Sequence, residues 1–266
     1  MSDLGGTATG ALTMTPISKE REIPWWLFVM VGLIGLMVVA VIFSDAYQEA
    51  FREIIPGLKI TLYLTVGSFA ASMPLGLFIG LGRMAKSKII STISTVYIEF
   101  VRGVPMIVFI FTIAFVLTPD FADLIGVRTR DIPTVWRGGA ALCLFYAAFI
   151  AEVFRAGIQS VDKGQTEAAK AIGLSNSNTM RFIVLPQALR NTLPALGNDF
   201  ISLMKDTSLV SVLAVPELTQ EARIYSGVSF RIRESFFILV VIYVTLTLGL
   251  SLLLRLWEKY LEIPDN

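Results

Sequence analysis

The sequence contains no histidine, and this absence excludes several kinds of catalytic and metal site. Histidine-dependent triads, HExxH zinc sites and imidazole proton relays all need the missing side chain. The single cysteine, Cys143, lies in an apolar run and cannot form an intrachain disulfide. We expect Cys143 to be a small packed residue, and we expect no metal site in this chain.

The sequence also lacks the G-x-x-x-x-G-K-[ST] pattern, in which a glycine-rich loop cradles the phosphates of ATP. We therefore expect that the chain is not itself an ATP-hydrolysing enzyme and that it holds no cofactor of its own. Any unit that binds ATP and Mg²⁺ would have to be another chain.

Charged residues are scarce, at 16% against 55% hydrophobic residues, and the mean hydropathy is +0.70. This composition is more apolar than a soluble domain needs and indicates a membrane protein. Three uncharged apolar runs are long enough to cross a bilayer: 25–43, 60–82 and 235–254. Three further candidates contain charged residues: 91–118, 138–156 and 191–215. The sequence thus predicts an all-α, polytopic membrane protein with about six transmembrane helices.

The basic residues predict the orientation of these spans. The connection at 83–88, RMAKSK, has three basic residues and no acidic one, which indicates a cytoplasmic position. Alternation then places residues 44–56 outside and both termini in the cytoplasm. The external loops 119–137 and 217–234 each balance three basic against three acidic residues, so they weaken this signal without reversing it.

A polar segment, GQTEAAKAIGLSNSNTMRFIVLPQALR, separates the fourth and fifth predicted spans on the cytoplasmic side. Residues 165–172 favour a helix, and Gly173 suits the left-handed position just past its C-terminus. Ser175 or Ser177 can cap a second helix, which we expect Pro186 to end or kink. The pattern predicts a helix-turn-helix elbow whose small side chains let a partner approach closely. An ordinary amphipathic connector on the membrane surface is the alternative.

Six residues of this elbow have a characteristic spacing: Glu167, Ala168, Ala169, Gly173, Ile183 and Pro186. The spacing resembles the EAA loop of importer-type ABC permeases, with every fixed position filled. Flanking stretches resemble the polar amino-acid permease branch: YIEFVRGVPM at 97–106, AAFIAEVFRAGIQSVDKGQTEAA at 147–169 and LPQALRNTLPALGNDFISLMKDTSLVSVLAVPEL at 185–218. Phe109 departs from the Gln that many relatives carry after the RG-x-P motif.

The resemblance implies the type I importer fold, with a five-helix core within residues 54–260 and a cytoplasmic coupling elbow at 157–190. The span at 25–43 is then an extra N-terminal helix, preceded by a cytoplasmic tail at 1–24. It also implies a bacterial inner-membrane importer in which two permease chains, identical or paralogous, form the pathway for an amino acid. A dimer of ABC ATPase chains would drive it, and an extracytoplasmic binding protein would deliver the amino acid. We expect no nucleic-acid partner.

Ionisable residues within the predicted spans are candidates for the pathway because charge at membrane depth is costly. Lys205 and Asp206 are followed by Thr207 and Ser208, whose hydroxyls could meet a zwitterionic substrate. Adjacent helical residues point about 100° apart, so only one of the two charges need face the pathway. A structural pair is the alternative.

Two further pairs have the i, i+3 spacing of intrahelical ion pairs. Glu99 and Arg102 lie in the third predicted span, where we favour a structural or gating role. Glu152 and Arg155 come just before the elbow and could brace it. Asp199 has no assigned role.

Two other classes of function are weighed against the importer. A self-energised secondary transporter would use an intramembrane ion or proton acceptor and often shows inverted repeats. This chain has carboxylates in its spans but no visible repeat. A purely structural membrane subunit would explain the spans but not the complete pattern of the elbow.

Overall fold

The structure is a computed structural model that describes residues 25–261, so the expected tail at 1–24 lies outside the described residues. Across 25–261 the regular structure is helical and no strand is present, which confirms the predicted all-α class. The α-helices are α1 Trp25–Ile42, α2 Asp45–Ile54, α3 Leu58–Arg83, α4 Lys88–Gly103, α5 Met106–Thr112, α6 Thr118–Leu124, α7 Thr134–Gln159, α8 Lys163–Ala171, α9 Asn176–Thr179, α10 Leu185–Asp206, α11 Leu218–Ser229 and α12 Ile232–Leu261.

Five shorter helical segments connect or extend these helices. Three are 3₁₀ turns: Ile55–Gly57, Thr129–Asp131 and Thr207–Leu213. Two are π turns: Ile113–Leu117 and Met180–Val184. The second π turn joins α9 to α10 without a break, so one continuous helical path leads from the elbow into the membrane.

Four described helical stretches are long and apolar enough to cross a membrane: Asp45–Arg83, Met106–Leu124, Thr134–Gln159 and Ile232–Trp257. Of the two other expected spans, the first corresponds to α1, whose apolar part Phe28–Ile42 is shorter than these four stretches. The fifth corresponds to α10, whose 22 residues reach about 33 Å. This length is sufficient for a crossing, but α10 carries too many polar side chains to rank among the apolar stretches.

The expected span at 91–118 is not a single helix. α4 ends at Gly103, and the backbone is extended at Val104, with φ −99° and ψ 134°, before α5 begins at Met106. Pro105 explains the break, because proline disfavours helical angles in the residue before it and has no N–H to donate. The expected pair Glu99 and Arg102 therefore lies on a separate helix that precedes the apolar crossing stretch.

The packing of α3 on α7 forms the centre of the molecule. A side-chain carbon at Gly80 would lie 2.7 Å from the carbonyl oxygen of Ala151, and one at Gly76 would lie 2.6 Å from the Ile150 side chain. Glycine is required at both positions because the two helices approach too closely for a larger residue. α10 packs on α7, α12 and α3 around this pair, and α12 also packs on α2 and α11.

α1 lies at the edge of this assembly. It packs on α2 and α12, and its described side chains are all at least partly exposed. The side chains of Val38, Val41 and Ile42 share an apolar groove with α2 and α12. Since α1 carries no charge and does not pack on α7 or α10 to any comparable extent, it contributes little to the centre of the molecule.

Deleting residues 1–43 should leave the remaining helices folded and should preserve the transport expected from the resemblance, because α1 is peripheral. The new N-terminus should lie outside the cell, which protease accessibility of an N-terminal tag would show. Uptake would be compared with that of a control chain in which α1 is replaced by an unrelated apolar helix of equal length. The prediction fails if the shortened chain inserts with its other helices correctly oriented but loses uptake.

Candidate functional site

The elbow begins where α7 ends at Gln159 and the chain turns into α8. Asp162 occupies the N-cap of α8, and its Oδ1 accepts a hydrogen bond from the Gly164 N–H at 2.6 Å. An aspartate at this position satisfies a backbone donor that would otherwise lack a partner in the first turn. The start of the first arm is therefore fixed by its own sequence.

Gly173 makes the turn between the two arms and has φ +85°, as predicted from its position after the first helix. Its N–H donates to the Lys170 carbonyl at 3.0 Å, and the Leu174 N–H donates to the Ala169 carbonyl at 3.0 Å. These two bonds are the Schellman arrangement that ends a helix on a left-handed residue. An added Cβ would meet nothing within 4 Å, so backbone angle and not lack of space requires glycine.

The second arm begins at Ser175, whose Oγ accepts a hydrogen bond from the Asn178 N–H at 3.3 Å. Pro186 does not end this helix, so that part of the expectation is wrong. Pro186 lies in the first turn of α10, directly after the π turn Met180–Val184, and the helical path continues through it. The wider π register before Pro186 accommodates a residue without an N–H, as the first turn of a helix does.

Four of the six EAA-type residues are exposed, namely Glu167, Ala168, Gly173 and Pro186, and Ile183 is half-buried. Ala169 is only 4% exposed, so it packs inward against the chain and does not present its methyl group to a partner. The exposed side of α8 and its C-cap consists of Glu167, Ala168, Ala171 and Ile172, and we call it the docking face. Ile172 is 80% exposed although it is apolar.

Both arms of the elbow are attached to the membrane part of the chain. Ile158 and Val161 at the end of α7 form a buried apolar cluster with Val184 and Ala188 on the return path. The Asn191 side-chain amide also donates to the Ser160 hydroxyl at 3.0 Å. A displacement of the elbow therefore reaches the ends of α7 and α10 together.

The charged residues before the elbow form a network across three helices. Glu152 and Arg155 form the i, i+3 ion pair expected from the sequence, at a distance of 2.8 Å. Glu152 also contacts Arg83 at the end of α3. Arg83 in turn pairs with Glu99 on α4 at 3.2 Å, so Glu99 does not form the expected pair with Arg102. The Arg102 guanidinium instead lies 5.8 Å from the centre of the Phe149 ring.

Sequence reasoning assigned Arg83 only to a basic cytoplasmic connection, because pairing between helices leaves no local pattern. In the structure one guanidinium joins α3, α4 and α7, and planar bidentate geometry suits arginine to this role.

Lys205 and Asp206, at the end of α10, point in different directions. The Tyr146 hydroxyl on α7 donates to Asp206 Oδ2 at 2.7 Å, so this carboxylate is held within the chain. Lys205 is exposed. Thr207 is buried and donates its hydroxyl to the Met204 carbonyl, whereas Ser208 is half-buried. Of the four expected pathway residues, Lys205 is the one most open to a ligand.

Two acidic residues that were not assigned a site by sequence also have defined surroundings. Asp199 lies on the same side of α10 as Asp206, and its Oδ2 is buried without a hydrogen-bond partner in the described part of the chain. Glu217, which begins the predicted external loop, is fully buried and accepts the N–H groups of Thr219 at 2.9 Å and Gln220 at 2.8 Å. Burial raises the pKa of Glu217 to about 7, and these two hydrogen bonds oppose the rise.

Comparison with known proteins identifies a family and relatives to which this chain is similar. Residues 72–262 match the family described as "Binding-protein-dependent transport system inner membrane component". The chain is 37% identical over 220 residues to "Glutamine transport system permease protein GlnP" of Escherichia coli, covering 82% of this chain and 97% of that protein. It is 34% identical over 216 residues to "Probable amino-acid permease protein YxeN" of Bacillus subtilis, covering 81% of this chain and 94% of YxeN.

One solved structure also has a similar fold. It is titled "Crystal structure of an amino acid ABC transporter with histidines", and the match has a TM-score of 0.71 at 39% sequence identity. The match covers 81% of this chain and 95% of the solved one, so the likeness extends over nearly the whole of the solved chain.

Replacing Gly173 by valine should loosen the elbow, because a β-branched residue at φ +85° carries strain of about 1–3 kcal/mol. Limited proteolysis of the purified chain should then cut within residues 163–184 several-fold faster than in the unmodified chain. Gly173→Asn should change the cleavage rate much less, since asparagine tolerates the left-handed region. Gly227→Val on α11 is the matched control, and equal cleavage rates in the two valine variants would refute the prediction.

Proposed function

Because this chain belongs to the family of inner-membrane components of binding-protein-dependent transport systems, we propose that it is the permease subunit of an ATP-driven importer for polar amino acids. It forms half of the pathway, and a second permease chain, identical or paralogous, forms the other half. The observation that carries the proposal is the elbow, a capped and rigidly attached helix pair with an exposed docking face.

The partner at the docking face is an ABC ATPase subunit, which supplies the ATP site that the sequence lacks. Ala168 and Ala171 leave the α8 backbone open to a close approach, and Ile172 offers an apolar contact. Glu167 supplies a carboxylate that a basic group on the ATPase can meet. Binding of ATP and Mg²⁺ belongs to that partner, and both termini of this chain lie on the same cytoplasmic side.

Coupling follows from how the elbow is attached. When ATP closes an ATPase pair, the two elbows move with it, and the apolar cluster at Ile158 and Val184 carries the motion to α7 and α10. The Arg83 network ties the same end of α7 to α3 and α4. ATP favours one state of the permease and the loaded binding protein favours the other, which is the condition for a directed switch.

At the other end of α10 we place the contact with substrate. Lys205 is exposed and can pair with the carboxylate of an amino acid, while Asp206, held by Tyr146, shapes the wall beside it. Ser208 lies near enough in sequence to add a hydroxyl, whereas Thr207 is buried and stabilises the helix end. Relatives that are named as glutamine and amino-acid permeases support a polar amino acid as the substrate class.

Reconstitution tests the proposed function directly. The chain is placed in liposomes with and without its co-purifying ATPase, and radiolabelled amino acids are offered together with an external binding protein. Uptake that requires ATP, the ATPase and the binding protein is the expected result. Uptake by this chain alone, driven by an ion gradient, would show a secondary carrier instead. Stimulation of ATP hydrolysis by binding proteins loaded with single amino acids identifies the substrate.

Glu167→Lys should weaken recovery of the ATPase with the purified permease by tenfold or more, because attraction at a close contact becomes repulsion. Uptake should fall in proportion, in membranes that contain normal amounts of the variant. Glu53→Lys makes the same charge change at an exposed position of α2, on the side predicted to be external, and should leave recovery unchanged. Normal recovery and uptake in Glu167→Lys would show that the elbow is only a connector.

Lys205→Met should raise the KM for uptake by tenfold or more and leave ATPase recovery unchanged, because it removes the cation offered to the substrate carboxylate. Asp206→Asn should have a smaller effect, since an amide oxygen can still accept the Tyr146 hydroxyl. KM and kcat of both variants would be measured in proteoliposomes. A larger effect in Asp206→Asn than in Lys205→Met would reverse the two assignments.

A further inference from the structure

One face of α10 carries a line of polar side chains through the depth of the membrane. Its members are Gln187, Asn191, Asn198, Ser202 and Lys205, and we call them the α10 stripe. At 100° per residue they fall within an arc of about 60°, and at 1.5 Å per residue they extend over about 27 Å. The stripe is therefore nearly as long as the hydrocarbon core of a bilayer, which is about 30 Å thick.

Two other sides of α10 are covered by neighbouring helices. Thr192, Leu196 and Leu203 are buried, on the side of the helix that also carries the Asp206 contact with Tyr146. The adjacent side, with Leu193 and Phe200, lines an apolar cavity together with α3 and α12. The stripe lies outside both of these sides from Asn198 to Lys205, whereas Asn191 borders the end of α7.

The stripe is open in the single chain. Asn191, Asn198 and Lys205 are exposed, and Gln187 and Ser202 are half-buried. Two of its amides have partners near the elbow: Gln187 donates to the Ile183 carbonyl, and Asn191 donates to Ser160. No hydrogen bond of the Asn198 side chain is found among the described residues.

Lipid is not a suitable neighbour for this face. An amide or an ammonium group in hydrocarbon is costly unless it finds hydrogen bonds, so polar side chains at membrane depth face protein or water. The two other residues of the face, Pro194 and Ala195, are small and apolar, and they leave space beside the helix.

We propose that the α10 stripe lines a water-filled path along which a zwitterionic amino acid moves from Lys205 to the elbow, and that Asn198 is a further substrate-contacting residue on it. Asn198 lies two helical turns, about 10 Å, from Lys205 and the same distance from Asn191. An amide offers both a donor and an acceptor, so it can meet either the carboxylate or the ammonium group of the passing molecule. This proposal rests on the proposed function for the identity of the solute.

The chain is well suited to a test by cysteine accessibility, because Cys143 is its only cysteine. In a Cys143→Ala background, Asn198 and Ser202 would each be replaced by cysteine, and the complete complex would be reconstituted in liposomes. A membrane-impermeant cationic thiosulfonate is added on both sides, and modification of this chain is followed by mass. Phe200→Cys and Leu203→Cys are controls on the apolar and buried sides of the same helix.

Labelling of the cysteines at 198 and 202 at least tenfold faster than at 200 and 203, slowed by a saturating transported amino acid, is expected. Equal labelling at the four positions in every nucleotide state would overturn the water-filled path. Spontaneous disulfide formation between two copies at 198 without labelling would overturn it too, and would show a packed interface between permease chains.

A functional measurement tests the role of Asn198 separately. Asn198→Ala should raise the KM for uptake several-fold with normal ATPase recovery, and Asn198→Gln should restore most of it. An unchanged KM in Asn198→Ala would overturn the substrate contact. Labelling at 198 in a complex that transports no amino acid would instead overturn the proposed importer, while the water-filled lining would stand.

Discussion

The close approach of α3 and α7 is the contact on which the rest of the molecule depends. Gly76 and Gly80 let the backbone of α3 lie directly against Ala151 and Ile150, so these two helices have one well-defined relative position. Dense contact of this kind gives membrane helices their stability, because the hydrophobic effect does not distinguish lipid from protein. α10 and the elbow are both positioned by their contacts with α7, and the Arg83 network fixes the end of α7 at Glu152.

The second arm of the elbow and the polar face of α10 are parts of one continuous helical path. α9, the π turn and α10 follow one another without a break from Asn176 to Asp206. A rigid connection of this kind transmits a displacement over its full length, whereas a flexible loop would absorb it. The proposed docking face on α8 is joined to this path through the turn at Gly173, so the proposed ATPase contact and the proposed solute contact are linked by one turn and one helical path.

Local chemistry made part of this structure predictable from sequence. The left-handed turn at Gly173 and the cap at Ser175 depend on neighbouring residues alone, and both are present. The partner of Glu99 was not predictable, because Arg83 reaches it from another helix. The expectation that Pro186 could end the helix was wrong, since the π turn before it has no recognisable composition. The polar face of α10 was visible as scattered charges, but its alignment became clear only once the helix bounds were known.

The π turn at Met180–Val184 holds one residue more than an α turn while it completes about the same rotation about the helix axis. The side chains of α10 therefore keep nearly the rotational phase that an uninterrupted α-helix with one residue fewer would give them. One residue added in α geometry would instead turn every side chain beyond it by about 100°. Asn198 and Lys205 would then lie on another side of α10. The wider turn thus lets the path hold an extra residue before Pro186 without changing the direction of the polar face.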